Sequence, residues 1–132
     1  MKKTTLHPIH KKLDAKMVEF GGFEMPVSYS SIKEEHCCVR ENVGVFDVSH
    51  MGEFFVEGDQ ALPFLQWVCS NDIALLQPGK AQYNYFPNEK GGVIDDLIVY
   101  CLEAQRYLLV LNASNIEKDW AWLTLQNKNF NA

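Results

Sequence analysis

Along the chain the hydrophobic positions switch between a period of two, which marks strands, and a period near 3.6, which marks helices. The strongest strand signal is Gly91-Gly92-Val93-Ile94-Asp95-Asp96-Leu97-Ile98-Val99-Tyr100. Its two glycines follow Asn88-Glu89-Lys90 and signal a turn. The residues after them are rich in β-branched and aliphatic side chains and show no helical period. Ile94, Asp96, Ile98 and Tyr100 share one face of this strand; Val93, Asp95, Leu97, Val99 and Cys101 share the other. Each face is apolar except for one acid. A carboxylate in such a row must be hydrogen-bonded, paired or open to a cleft, because an unpaired buried charge is very costly. A turn cap or a solvated edge would account for one strand aspartate, but less readily for two in succession.

The other elements follow from pattern and punctuation. Residues 4–14 predict a short helix with Leu6, Ile9 and Leu13 on one side, Thr4 or Thr5 as cap and Pro8 in the first turn. Residues 17–20 and 23–29, joined by Gly21-Gly22, predict a hairpin whose second strand is an edge because of Pro26. Ser31 to Glu34 is a capping box that opens a helix to about Asn42, with Gly44 as its stop. The loop Phe46-Asp47-Val48-Ser49-His50-Met51 leads into a strand ending at Val56. Asp59 is placed to cap a helix to about Ser70, with a stripe of Leu62, Leu65, Trp67 and Val68. Alternation over 81–86 predicts the strand before the acid-bearing one, and 107–111 the strand after it. A second capping box, Ser114 to Glu117, opens a helix to about Gln126 with Ile116, Trp120 and Leu123 on its stripe.

Short strands joined by tight turns imply an α+β fold, a mostly antiparallel sheet with flanking helices on one face. Residues 1–50 read as an N-terminal hairpin and helix segment, and residues 51–132 as an α+β sheet domain carrying the Asp-Asp strand. Such a sheet would ordinarily take another strand after the last helix. The 132 residues suffice for a real core. A hydrophobic content of 47% with 22% charged residues reads as globular. The net charge of -5 and the lack of a basic stripe argue against a nucleic-acid partner. No signal peptide and no membrane-spanning run is legible. Cys37, Cys38, Cys69 and Cys101 lack metal-ligand spacing and read as structural thiols in a reducing cytoplasm.

Candidate chemistry is sparse. Asp47, Ser49 and His50 have the residue types of a hydrolytic triad, but triads assemble in space, and a loop ordered by Asp47 and Ser49 bonding to backbone is the better reading. His7, His10 and His36 are scattered and read as surface groups rather than metal ligands. Tyr83 lies one hairpin before the acid strand and could face Asp96 across the ladder. An aromatic wall beside a strand carboxylate suits a flat, nitrogen-rich ring; two tyrosines covering a core edge explain the same pattern equally well. Asn112 is placed as a helix cap or a pocket amide.

Several runs together resemble the aminomethyltransferase (T-protein) family of the glycine cleavage system. They are Lys16-Met17-Val18-Glu19-Phe20-Gly21-Gly22-Phe23, Met25-Pro26-Val27, Val39-Arg40, Gly44-Val45-Phe46-Asp47-Val48-Ser49-His50-Met51, the Gly91–Tyr100 run, and Asn112-Ala113-Ser114 with Glu117-Lys118-Asp119. The resemblance spans essentially the whole chain and about the N-terminal third of a family member. It implies transfer of a methylene group from the aminomethyl-lipoyl arm of H-protein to tetrahydrofolate as co-substrate, with release of ammonia and no metal. It maps the essential carboxylate to Asp96 and folate-lining positions to Met51, Tyr83, Asn112 and Val99 or its neighbours, leaving Asp95 structural. It implies no membrane partner. Family members supply further folate contacts from later in their chains, so these residues read as a fragment whose pocket by itself lacks one wall. A non-catalytic folate-binding or H-protein-docking module and a related folate-dependent demethylase are the alternatives.

Overall fold

The computed structural model describes residues 1–132, which divide into two units, Met1–His50 and Met51–Ala132. The first unit holds a short helix α1 (His7–Lys12), a hairpin of β1 (Lys16–Phe20) and β2 (Phe23–Ser28), and helix α2 (Ile32–Glu41). Pro8 sits in the first turn of α1 as expected, but no side chain caps that helix. The Thr4 hydroxyl is committed elsewhere, donating to Asp47 at 2.8 Å. Gly21 and Gly22 both have positive φ (58° and 86°), the backbone a two-residue hairpin turn demands. Pro26 is tolerated because this sheet has only two strands. Ser31 caps α2 by accepting from the Glu34 N–H at 3.2 Å. The acid that reaches back is Glu35, which accepts from the backbone N–H groups of Tyr29 and Ser30. Gly44 is not a left-handed stop. It is small because a Cβ there would stand 2.5 Å from Val39 Cγ2.

The second unit is a four-stranded sheet in the order β3-β6-β5-β4, every pair antiparallel, with α3 (Ala61–Val68) and α4 (Ile116–Asn127). The strands are β3 (Gly52–Glu57), β4 (Lys80–Pro87), β5 (Val93–Glu103) and β6 (Arg106–Leu111). This is the predicted α+β architecture. The core is built from Phe64, Leu65, Phe86, Leu97, Val99, Leu109, Leu111 and Leu123, all at or near full burial. Each such side chain contributes about 1.5–3 kcal/mol by leaving water.

Two predicted caps are absent from the second unit. Asp59 does not cap α3, whose N-cap is Gln60 without a side-chain bond; Gly58, at φ 99°, accepts from Ala61 N–H instead. Ser114 lies inside a single 3-10 turn (Ala113–Asn115), so α4 begins at Ile116 without the expected box. The buried positions of α4 are Asp119 and Leu123, while Trp120 is 57% exposed and rests edge-on against Phe54.

Only one face of β5 belongs to the core. Asp95, Leu97, Val99 and Cys101 are buried, whereas Ile98 and Tyr100 remain exposed and Ile94 and Asp96 half-buried. β4 agrees in phase: Asn84 and Phe86 point inward, Tyr83 and Tyr85 outward. The sheet therefore keeps an open, largely apolar outer face, an arrangement antiparallel sheets permit.

Candidate functional site

The pairing register explains why Asp96 is accessible and what surrounds it. Leu111 pairs with Leu97 on β5 and with Gly52 on β3. Extending both ladders by one residue puts Met51, Asn112 and Asp96 in one transverse row, which ends at Tyr85, the observed partner of Asp96 on β4. The next outward row is Glu53, Val110, Ile98 and Tyr83. Beyond it come Phe55, Leu108, Tyr100 and Ala81. Asp96 thus stands beside two rows that, Glu53 apart, are aromatic and aliphatic.

Tyr83 is not directly opposite Asp96; its ladder partner is Ile98. The long phenol reaches along the diagonal, and its hydroxyl donates to Asp96 Oδ2 at 2.9 Å. Donation to the carboxylate favours the neutral phenol and raises the Tyr83 pKa above 10. The Asn112 amide donates to Asp96 Oδ1 at 2.9 Å and lies 3.2 Å from both the Asp96 carbonyl oxygen and Asp95 Oδ1. Each oxygen of Asp96 is thus held by a donor, and each keeps a lone pair for a ligand. Met51, half-buried, sits at the β3 end of the same row.

Val99 is not on this face. It lies on the Asp95 side of β5, at 0% exposure inside the core, so no ligand on the Asp96 side touches its side chain. Its neighbours Ile98 and Tyr100 hold the outer positions. Strand alternation is the whole reason.

Behind the sheet lies a polar cluster that the sequence reading passed over. Asp95 Oδ1 accepts from the Asn115 amide at 2.7 Å as well as facing Asn112. Asp119 of α4 is fully buried near Asp95. Burial first, and then the neighbouring Asp95 carboxyl, pushes its carboxyl up to about 7. The signal was present: Ile116, Asp119 and Leu123 fall at helical spacing, and an acid on an apolar stripe marks a polar contact inside.

In the first unit the Phe46–His50 segment is pinned rather than reactive. Asp47 accepts from Thr4 Oγ1, His10 Nε2, Ser49 N and Ser49 Oγ at 2.6–2.9 Å. Burial opposes ionisation there, but these donors outweigh it and hold the carboxyl well below its usual range. His50 takes no part; its ring packs edge-on against Phe20 and Phe23, and Nδ1 has no partner. A triad is excluded by that geometry. His7 and His10 are not surface groups. Each is 5% exposed, bonded to Glu24 and Asp47 respectively, and Tyr29 closes the chain on His10 Nδ1 at 2.7 Å. Partners 17 and 37 residues away are invisible to local spacing. An open cleft of about 500 Å³ also lies in this unit, lined by Met25, Val27, Ile32, Val39 and Phe46 among others. The acid-bearing sheet face has the more specific chemistry.

The family described as GCVT N-terminal domain matches residues 6–132. An aminomethyltransferase of Bacteroides thetaiotaomicron is 60% identical over 127 residues, covering 96% of this chain and 35% of the relative. One from Thermus thermophilus is 55% identical over 130 residues, covering 98% and 37%. The crystal structure of glycine cleavage system aminomethyltransferase T from Bartonella henselae superposes with a TM-score of 0.93 at 39% identity, covering 98% of this chain and 36% of that one. The chain thus spans about a third of the length of the relatives it matches. With a family match over nearly its whole length and the same fold as a solved relative, the chain belongs to the GCVT N-terminal domain family.

Proposed function

We propose that this chain supplies the folate-facing sheet of a tetrahydrofolate-dependent aminomethyltransferase of the glycine cleavage system. In that reaction a methylene group passes from an aminomethyl group on the lipoyl arm of H-protein to tetrahydrofolate, and ammonia and the dihydrolipoyl arm are released. The observation that carries the reading is Asp96: a carboxylate gripped by Tyr83 and Asn112 on an exposed apolar sheet face. Asp96 is the proposed catalytic residue. Met51, Tyr83 and Asn112 are proposed folate contacts, with Ile98 and Tyr100 rather than Val99 as the wall.

The residues suit this role physically. A ring nitrogen that attacks a methylene carbon gains positive charge, and a fixed carboxylate beside it lowers the energy of that charge. The same carboxylate can orient or accept a proton. Its two donors fix its plane beforehand, so little reorganisation is needed. Tyr83, Tyr85, Ile98 and Tyr100 offer the flat apolar surface a pterin-like ring covers. The four cysteines are unpaired, Cys69 and Cys101 in the core, which supports a reducing, cytoplasmic setting.

Titration of the 132-residue chain with tetrahydrofolate, alongside Asp96→Asn, tests the reading. Saturable binding weakened roughly fivefold or more by the substitution is expected, the scale of one charge-assisted hydrogen bond. Equal binding by both proteins removes Asp96 as a contact. Folate-dependent ammonia release from aminomethyl-loaded H-protein separates a transferase from a module that only binds.

A further inference from the structure

Three buried carboxylate oxygens behind the sheet have no hydrogen-bond partner: Asp95 Oδ2 and both oxygens of Asp119. Asp119 is at 0% exposure and Asp95 at 7%. The donors observed in this cluster go to other oxygens. The Asn112 and Asn115 amides go to Asp95 Oδ1, and Lys118 donates to the Ile94 carbonyl at 2.6 Å. Two adjacent carboxylates without a donor between them cannot both stay ionised in a dry site. One proton placed between them removes the conflict: it turns one oxygen of Asp119 into a donor and gives Asp95 Oδ2 a partner.

We infer that Asp119 and Asp95 form a proton-sharing carboxyl pair, and that Asp119 is a positioning residue acting through Asp95 and Asn112 on Asp96. With the shared proton in place the chain of contacts is continuous. Asp119 then donates to Asp95 Oδ2; Asp95 Oδ1 faces the Asn112 amide; the same amide donates to Asp96 Oδ1 on the opposite face of β5. Asn112 can serve both acids because it leaves the end of β6, where the strand no longer separates the two faces. With the proton present, Asp95 presents its Oδ1 to Asn112 and Asn115, and the Asn112 amide is fixed with its nitrogen toward both carboxylates. Loss of the proton adds a second buried negative charge facing Asp95 and Asp96, offset only by Lys118. That repulsion loosens the cluster and with it the grip on Asp96. The pair itself rests on the burial and unpartnered oxygens of both acids and on the bonds that Asn115 and Lys118 make to Asp95 and Ile94; its consequence for folate rests on the proposed function above.

The test is a carbon-13 titration of the aspartate side chains of the full chain, with the Asn112 amide signals followed in the same spectra. Expected is one aspartate carboxyl titrating about two or more units above the ordinary value, with Asp95 and the Asn112 amide shifting at the same midpoint. Both high-midpoint shifts vanish in Asp119→Asn, which keeps a donor at every pH. Tetrahydrofolate affinity of the unsubstituted chain should fall roughly fivefold or more across that midpoint, while Asp119→Asn stays flat at the low-pH affinity. A chain with no aspartate titrating late overturns the pair. A late-titrating pair that leaves the Asn112 amide unmoved overturns the positioning role. Normal titration and amide shifts without any folate binding overturn the functional reading and leave the pair standing. If Asp119→Asn does not fold, the titration of the unsubstituted chain still decides.

Discussion

Asp47 and Asp119 are both acids withdrawn from water, and their surroundings push them in opposite directions. Asp47 receives four donated hydrogen bonds, so its ionised form is favoured in the fold. Its stabilising contribution is present above its unfolded value of 3.8 and is lost as pH falls below that value toward its lowered pKa. Asp47→Ala should cost the first unit about 2–4 kcal/mol, since it orphans the donors of Thr4, His10 and Ser49. Asp119 has no donor and a raised pKa, so the fold binds its proton more tightly than the unfolded chain does. Its contribution is complete below 3.8, declines as pH rises from there to about 7, and is flat above. Denaturant midpoints of the second unit should fall over that window, and Asp119→Asn should flatten the slope. Tyr83 offers an optical check on the site. Its phenol titrates late because it donates to Asp96. Phenolate absorbance should show one of the five tyrosines ionising at lower pH in Asp96→Asn than in the unsubstituted chain; an unchanged curve would mean the bond is not formed in solution.

At the scale of elements, close approach and register matter more than propensity. Gly52 opens β3 opposite Leu111, and a Cβ there would stand 2.7 Å from Ile116 Cγ1, the first residue of α4. Gly52→Ala should therefore cost about 1–3 kcal/mol by forcing α4 off the sheet, read as a lowered thermal midpoint. It should also disturb the Met51–Asn112–Asp96 row, so folate affinity would fall with it. An alanine tolerated without loss would mean that α4 shifts freely. The β4–β5 register carries a similar lesson. Moving the pairing by one residue would turn Asp96 into the core and Asp95 outward. The inward Asn84 and Phe86 and the outward Tyr83 and Tyr85 oppose that slip from the neighbouring strand.

At the scale of the whole molecule the two units are held by different forces. The second unit contains the apolar cluster from Val56 to Leu123, whereas Met25 is the one buried hydrophobic residue of the first. Thr4, His7, His10 and His50 fill that role in the first unit, and α2 buries no residue at all. Polar networks contribute about 0.5–1.5 kcal/mol per bond, less than a buried aliphatic side chain. Amide hydrogen exchange should therefore be fastest in α2 and slowest in β5 and β6. Lowering pH from about 7 to about 4 should further protect the second unit through Asp119, while still more acid releases the first through Asp47. Protection in α2 equal to that in β5 would contradict this division.

The sequence by itself determined most elements and the family. Period-two alternation, paired glycines and the Ser31 cap are local signals, and they put the hairpin, the capped helix and the three strands from β4 to β6 where they are found. The two acids of Asp95-Asp96 were legible as an anomaly, because hydrophobic strands do not carry charges without a reason. Which acid faced outward was not legible, since both faces of that run are apolar and only the covering helices decide which becomes core. The family resemblance put Val99 or its neighbours among the folate-lining positions, although alternation already set Val99 on the Asp95 side, where packing buries it. Caps expected at Asp59 and Ser114 failed because cap chemistry competes with the local backbone and with tertiary contacts. The Asp47–His10–Tyr29 chain and the Asp119–Asp95–Asn112–Asp96 chain join residues 16 to 37 positions apart or on opposite faces of one strand. Only the folded chain brings such groups together, because hydrogen bonds depend on distance in space and not on separation along the sequence.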